Sequence, residues 1–178
     1  MKIAIIGYGF VGKALHNGLK DNVELQIIDP KLNTDINDLS RYSPDVIFIC
    51  VPTPMHNDGS QNISIVKSVI NNIKDLNIDS HIVIKSTVLP NHINALEKLA
   101  GKFVYNPEFL REKFADEDFI NSNLIVFGGS KEYTTKLSDI YKKHTKCKCT
   151  DHIHTDSVTA SLIKYTINSF LSTKVIFF

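Results

Sequence analysis

The run KIAIIGYGFVGKAL at residues 2–15 constrains this chain more than any other stretch. A β-branched apolar segment (2–7) feeds straight into Gly7, Gly9 and Gly12, and an amphipathic stretch (10–21) follows. Strand, tight turn and helix in that order open a dinucleotide-binding α/β unit. The first glycine permits the turn, the second lets backbone approach a pyrophosphate, and the third lets helix and strand pack closely. The helix N-terminus then faces the phosphates, so Gly7, Gly9, Phe10, Val11 and Gly12 form the cofactor-binding turn. Asp29 closes the next strand (23–29), where a carboxylate bonds the adenosine ribose hydroxyls. An acid there favours NAD over NADP, because a 2′-phosphate would be repelled; nearby Lys31 slightly blunts that preference.

Further along, short apolar runs alternate with helical stretches. The pattern predicts a short helix at 35–42, a strand at 45–51 and a helix at 63–76. It continues with a strand at 80–89, a helix at 91–100, strands at 102–106 and 123–129, and a helix at 131–144. KCKCT (146–150) reads as a short strand, and a last helix begins near Thr155 or Asp156, either of which is a suitable cap. Strands that read as continuous apolar runs and alternate with helices imply right-handed crossovers in a sheet buried on both faces. The expected fold class is α/β: a doubly wound, mostly parallel, Rossmann-like sheet with the start of a long C-terminal helix. Residues 1–154 are the expected NAD-binding domain, and 155–178 the start of a linker helix. That helix ends on Ile-Phe-Phe without a terminating glycine, asparagine or polar tail. Such an end is expected to continue elsewhere or to be buried in a partner.

Three further stretches carry residues suited to chemistry. VPTP (51–54) and KSTVLP (85–90) follow strands, and ligands of such sheets sit outside the carboxyl ends of the strands. Thr53 and Thr87 are therefore placed to face cofactor or substrate, with ordinary turn chemistry as the alternative. In the last helix Lys164 and Asn168 stand four apart on one face, suited to an oxyanion or else to a solvated stripe, with Leu162, Ile163, Ile167, Phe170 and Leu171 as its apolar side. NPEFLREKFADEDF (106–119) packs five carboxylates and two basic groups among which a catalytic acid or base is sought. His144, Cys147, Cys149, His152 and His154 cluster in sequence, but Cys-x-Cys and His-x-His are not structural-zinc spacings, and no metal is expected.

A net charge of +1 gives no electrostatic footprint for nucleic acid or an anionic membrane. Glycines interrupt the N-terminal apolar run, no later run approaches membrane-spanning length, and three cysteines are too few for a disulfide scaffold. A cytoplasmic location is the expectation.

GYGFVG, VPTP, KSTV, NPEFLRE and a terminal helix with Lys-x-x-x-Asn occur in this order. The chain thereby resembles the UDP-glucose/GDP-mannose dehydrogenase family, the NAD-dependent nucleotide-sugar 6-dehydrogenases. The resemblance implies oxidation of the C6 alcohol of a nucleotide sugar, UDP-glucose or a relative, in two hydride transfers through an aldehyde held on a cysteine. It implies that Glu108 is a general base for the hydrolytic water, and that Thr87 orders substrate and water. Lys164 and Asn168 would stabilise the developing oxyanion, and Glu112 would lie near the cofactor. Phe109, Leu110 and Arg111 would line the sugar-nucleotide site, and a homodimer through the C-terminal helix is the implied assembly. The family's glycine-rich cysteine segment has no counterpart among these residues, and Cys50, Cys147 and Cys149 do not match it. The stretch between Asp29 and Asp45 is shorter than the family's usual segment, and Ser161 stands where a glutamate is usual. Two rival readings follow: a non-catalytic NAD-binding module, and a sibling β-hydroxyacid dehydrogenase.

Overall fold

Strand β1 (Lys2–Ile6) enters the middle of the sheet because both of its faces are apolar. Ile3 and Ile5 pack on one side, Ala4 and Ile6 on the other, and all four are buried. The same two-faced burial recurs in β3 (Val46–Ile49) and β4 (His81–Ile84). The other strands are β2 (Glu24–Ile28), β5 (Phe103–Tyr105), β6 (Val126–Gly128) and β7 (Ile153–Thr155). A computed structural model of the protein describes residues 1–177.

The seven strands lie in the order β2-β1-β3-β4-β5-β6-β7. Neighbours run parallel except β5 and β6, which meet antiparallel through one residue pair, Tyr105 with Gly128. Helices α1 (Phe10–Gly18), α5 (Ala115–Ile120) and α6 (Lys131–His144) cover one face through Leu15, Phe119, Leu137 and Tyr141. The short α2 (Leu39–Tyr42), with α3 (Ser64–Asp75), α4 (Pro90–Ala100) and α7 (Ser157–Phe177), covers the other through Leu39, Ile70, Leu96 and Ala160. The doubly wound, mostly parallel α/β fold is therefore present. Each fully buried isoleucine of these layers contributes about 1.5–3 kcal/mol.

Several element bounds differ from those read in the sequence. The strand expected over 80–89 stops at Ile84. There the Lys85 and Ser86 amides both reach the Ile49 carbonyl, the Ser86 hydroxyl donates to Val51 O at 2.6 Å, and Pro90 opens α4. KCKCT forms no strand. Its amides instead tie off helix ends, Lys146 N–H on Gly18 O at 2.7 Å and Lys148 N–H on Ile120 O at 2.8 Å. The outer strand β7 lies just beyond it. The segment 35–42 begins as one turn of 3-10 helix (Ile36–Asp38) under a capping box of Asp35 and Asp38 before α2. Helix α1 ends at Gly18 rather than 21, because Leu19 turns extended and Lys20 N–H bonds His144 O.

Candidate functional site

Between β1 and β3 the chain order reverses, since β1 leads outward to β2 and the chain then crosses back to β3. Open α/β sheets bind ligands at such a switch point, beyond the carboxyl ends of the strands. A cavity of about 720 Å³ lies there. Strand order also orders its lining: Asp29 beyond β2, the glycine turn beyond β1, Cys50 and Thr53 beyond β3, Lys85 and Thr87 beyond β4, and Glu108 beyond β5.

The glycine turn is shaped for a phosphate-bearing ligand. Gly7 has φ +94°, and a Cβ there would sit 2.7 Å from the Cys50 carbonyl oxygen. A Cβ on Gly12 would collide with the Gly7 carbonyl. Gly9 differs: nothing lies within 4 Å of its Cβ position, although it forms part of the cavity wall. That open backbone, with the unpaired first-turn amides of α1, fits a pyrophosphate. Phe10 and Val11 line the same wall. At the outer end, the Asp29 carboxylate accepts the Tyr8 amide at 2.6 Å and the Lys31 amide at 2.8 Å. Both bonds come from backbone, so the carboxylate is fixed in place with lone pairs remaining for hydroxyl groups. The residues thus fit a dinucleotide with an adenosine ribose at Asp29.

At the inner end, Glu108 is 9 % and Lys164 4 % exposed. Lys164 Nζ lies 3.1 Å from Glu108 Oε1 and also donates to the Glu108 carbonyl oxygen. The other carboxylate oxygen accepts the Leu110 amide at 2.6 Å. A buried pair held this way is costly to break on one side, about 3–5 kcal/mol, because the remaining charge is stranded. Lys164 is therefore an anchored group of the site rather than part of a solvated stripe.

Thr53 and Thr87 both line the cavity, but Thr53 spends its hydroxyl on Thr87 O at 2.7 Å. Gln61 donates to that same carbonyl at 2.9 Å and accepts the Leu89 amide at 2.8 Å. Phe109 and Leu110 are half-buried, with Lys164 Nζ 5.4 Å from the Phe109 ring centre. Arg111 is exposed and clamped by Asp118, at 3.0 Å through Nε and 2.8 Å through Nη2, with its own amide on the same carboxylate. That clamp holds the Asp118 carboxyl below the usual range, so Asp118 fixes the end of the NPEFLRE turn.

Of the expected site residues, Gly12, Phe109, Leu110, Arg111, Glu112, Lys164 and Asn168 are not part of the cavity lining. Glu112 is exposed in the 3-10 turn before α5 and is not part of the cavity lining. Asn168 is exposed, one turn beyond Lys164, where α7 has left the sheet. The expected apolar side of that helix is largely exposed as well, at Leu162, Phe170 and Leu171, while Ser157, Ala160, Ser161 and Lys164 face inward. Ser161 donates to Val88 O at 2.6 Å. The His/Cys cluster disperses: His152 bonds Ser138 and the Cys149 carbonyl, and His144 bonds Asn22. Among the described residues, no three potential metal ligands come together.

Lys85 was not singled out by the sequence, yet it is 3 % exposed at the cavity's inner end. Its ammonium donates to Asn106 Oδ1 at 2.9 Å and to the Tyr141 hydroxyl at 3.3 Å. Tyr141 donates to the same Asn106 oxygen at 2.5 Å, and Asn106 Nδ2 donates to Val126 O at 3.0 Å. Burial pushes the Cys50 thiol up to about 12.

Residues 13–145 match the sequence model of the UDP-glucose/GDP-mannose dehydrogenase family, NAD binding domain. A UDP-glucose 6-dehydrogenase of Rickettsia bellii is 43% identical over 141 residues, covering 75% of this chain and 32% of that one. A UDP-glucose 6-dehydrogenase of Bacillus subtilis is 31% identical over 220 residues, covering 99% of this chain and 47% of its own length. The structure of a UDP-glucose dehydrogenase from the archaeon Pyrobaculum islandicum superposes with a TM-score of 0.78 at 26% identity, over 99% of this chain and 51% of that chain. The chain thus spans between a third and a half of the length of these relatives. Among the described residues, no helix is long and apolar enough to cross a membrane.

Proposed function

The chain belongs to the UDP-glucose/GDP-mannose dehydrogenase family and carries its NAD-binding domain, and from that premise we propose that it forms the cofactor-holding part of a nucleotide-sugar 6-dehydrogenase. The proposed reaction is oxidation of the C6 alcohol of UDP-glucose or a close relative. The names of the Rickettsia and Bacillus relatives support that substrate class. The observation that carries the reading is Glu108 in the cavity wall beyond the glycine turn, with buried Lys164 paired to it at 3.1 Å.

In this reading residues 1–154 hold NAD, and the helix after them delivers Lys164 to Glu108. Gly7, Gly9, Phe10, Val11 and Asp29 would hold NAD, which would supply the hydride acceptor. Glu108 is the general base, and its carboxylate stays aimed because Lys164 and the Leu110 amide hold one oxygen each. Lys164 is also the cation beside a developing oxyanion, and Thr87 orders the reacting alcohol or water. Phe109, Leu110 and Arg111 form the sugar-nucleotide wall, with Asp118 fixing the arginine. A thiolate step is not assigned to Cys50, since a thiol near 12 is the reverse of an activated nucleophile. The exposed Leu162, Phe170 and Leu171 support pairing of two copies through α7.

Calorimetric titration of this chain with NAD tests the reading. Saturable binding is expected, and Asp29→Ala should weaken it about tenfold by removing charge-assisted bonds to the ribose. Folded protein that shows no saturable binding overturns it.

A further inference from the structure

The inner end of the cavity holds a charge that the proposed chemistry does not use. Glu108 and Lys85 line it in addition to the thiol, and Lys164 is bonded to Glu108. Lys164 and Glu108 neutralise one another at 3.1 Å. Lys85 has no such partner, and among the described residues no carboxylate lies within ion-pairing distance of it. Its bonds go to an amide oxygen and a phenol hydroxyl, both neutral. Protonated, it leaves the inner end one positive charge in excess.

The groups facing Lys85 come from every element around it. Cys50 follows β3, and Glu108 follows β5. Tyr141 belongs to α6, Cys147 to the segment after α6, and Lys164 to α7. The thiol of Cys50 is held neutral by burial, and the Tyr141 phenol is pushed the same way. Only Glu108 supplies negative charge, and it is committed to Lys164.

A dinucleotide with its adenosine ribose at Asp29 and its pyrophosphate at the N-terminus of α1 directs its nicotinamide half towards this inner end. The oxidised ring carries a positive charge and the reduced ring carries none. We propose that Lys85 is a specificity-determining residue for cofactor redox state, its buried ammonium weakening the hold on NAD⁺ relative to NADH. This rests on the reading that NAD fills the cavity. The consequence is functional: an oxidation is drawn forward at the cofactor when the site disfavours the oxidised form and favours the reduced one. Two unit charges roughly 10 Å apart at an effective dielectric of about 20 correspond to on the order of tenfold in the ratio of the two dissociation constants.

Burial pushes the Lys85 ammonium below its ordinary value. The sign of the pH effect follows. At lower pH Lys85 is charged and NAD⁺ is held weakly. As pH rises and the proton leaves, NAD⁺ is held more tightly while NADH is unaffected. By linkage, NAD⁺ binding expels a proton where Lys85 is charged.

The test is to measure dissociation constants of NAD⁺ and NADH for this chain between about pH 6 and pH 10, spanning the accessible titration range of a buried lysine. The ratio cancels everything the adenine, riboses and pyrophosphate contribute in common. Wild-type protein should show the NAD⁺/NADH ratio of dissociation constants falling as pH rises, with proton release on NAD⁺ binding seen as buffer-dependent enthalpy. Lys85→Met and Lys85→Gln should bring the ratio near its high-pH value at every pH and abolish the proton release. Asn106 keeps the Tyr141 hydroxyl as donor in both variants, so the network is not emptied. If the variants fail to fold, the wild-type pH series decides alone. A ratio flat with pH, or unchanged in folded variants, overturns the proposal. Failure of folded wild-type protein to bind either form overturns instead the reading of the cavity.

Discussion

Gly9 and Gly12 stand three residues apart in one turn, and a methyl group added to each meets different surroundings. On Gly12 it meets the Gly7 carbonyl, and backbone has nowhere to go. Gly12→Ala should therefore cost about 1–3 kcal/mol or more through overpacking, seen as a lower midpoint in urea. On Gly9 the methyl meets open cavity. Gly9→Ala should keep the fold within about 0.5 kcal/mol, as surface substitutions do, yet weaken NAD binding in calorimetry. A variant that unfolds at Gly9, or binds normally, contradicts the phosphate approach assigned there. These glycines were legible from sequence because a local turn imposes their requirement. Lys85 was not, because its burial is decided by Asn106 and Tyr141, 21 and 56 residues away in the chain. In sequence, a lysine after a strand looks like any solvated lysine. Glu108 was legible as a motif, whereas its pairing with Lys164, 56 residues on, required the fold.

Helix α7 is placed by its first turn. Asp156 accepts the Thr159 amide at 2.8 Å and its hydroxyl at 2.6 Å, which is an N-cap in function. The Asp156 carboxyl is held below its usual range by those bonds, so the cap is charged at neutral pH. Asp156→Ala should cost about 1 kcal/mol, read as a shift in thermal midpoint. Asp156→Asn should recover most of it, and a loss that Asn fails to recover points to something other than capping. The start of the helix was legible because caps are local signals. Its inward face was not: the apolar residues Leu162, Phe170 and Leu171 are exposed, and small or polar residues face the sheet. Gly128 and Ala160 explain the choice, since α7 crosses β6 closely enough that a Cβ on Gly128 would strike its backbone. Close approach selects small side chains, and a hydrophobicity pattern cannot express that. The same limit hid the fate of KCKCT, whose alternation resembled a strand while its amides capped helices.

As a whole, the molecule is expected to weaken in mild acid. Burial holds His81, His144 and His152 below the ordinary histidine value. For His152 the geometry agrees: a neutral ring donates from Nε2 to Cys149 O at 3.0 Å and accepts Ser138 Oγ at Nδ1 at 2.8 Å. Among the described residues, His81 Nδ1 has no hydrogen-bond partner. The unfolded chain therefore takes up these protons first, so stability is complete above about pH 6.5 and is lost as pH falls through and below it. Thermal midpoints at about pH 5.5 should lie below those at about pH 7.5, and His81→Gln with His152→Gln should flatten the slope. A midpoint that rises on acidification would contradict the assignment. The doubly wound, mostly parallel sheet was implied by alternating strands and helices, but the reversal of β6 was not, since direction is invisible in a three-residue apolar run. That reversal matters mechanically. One backbone rung, Tyr105 with Gly128, joins the five inner strands to the outer two, and the Asn106 amide supplies the next stitch to Val126. The sheet is thus two leaves sewn along a narrow spine, and Glu108, the proposed base, sits two residues from the stitching.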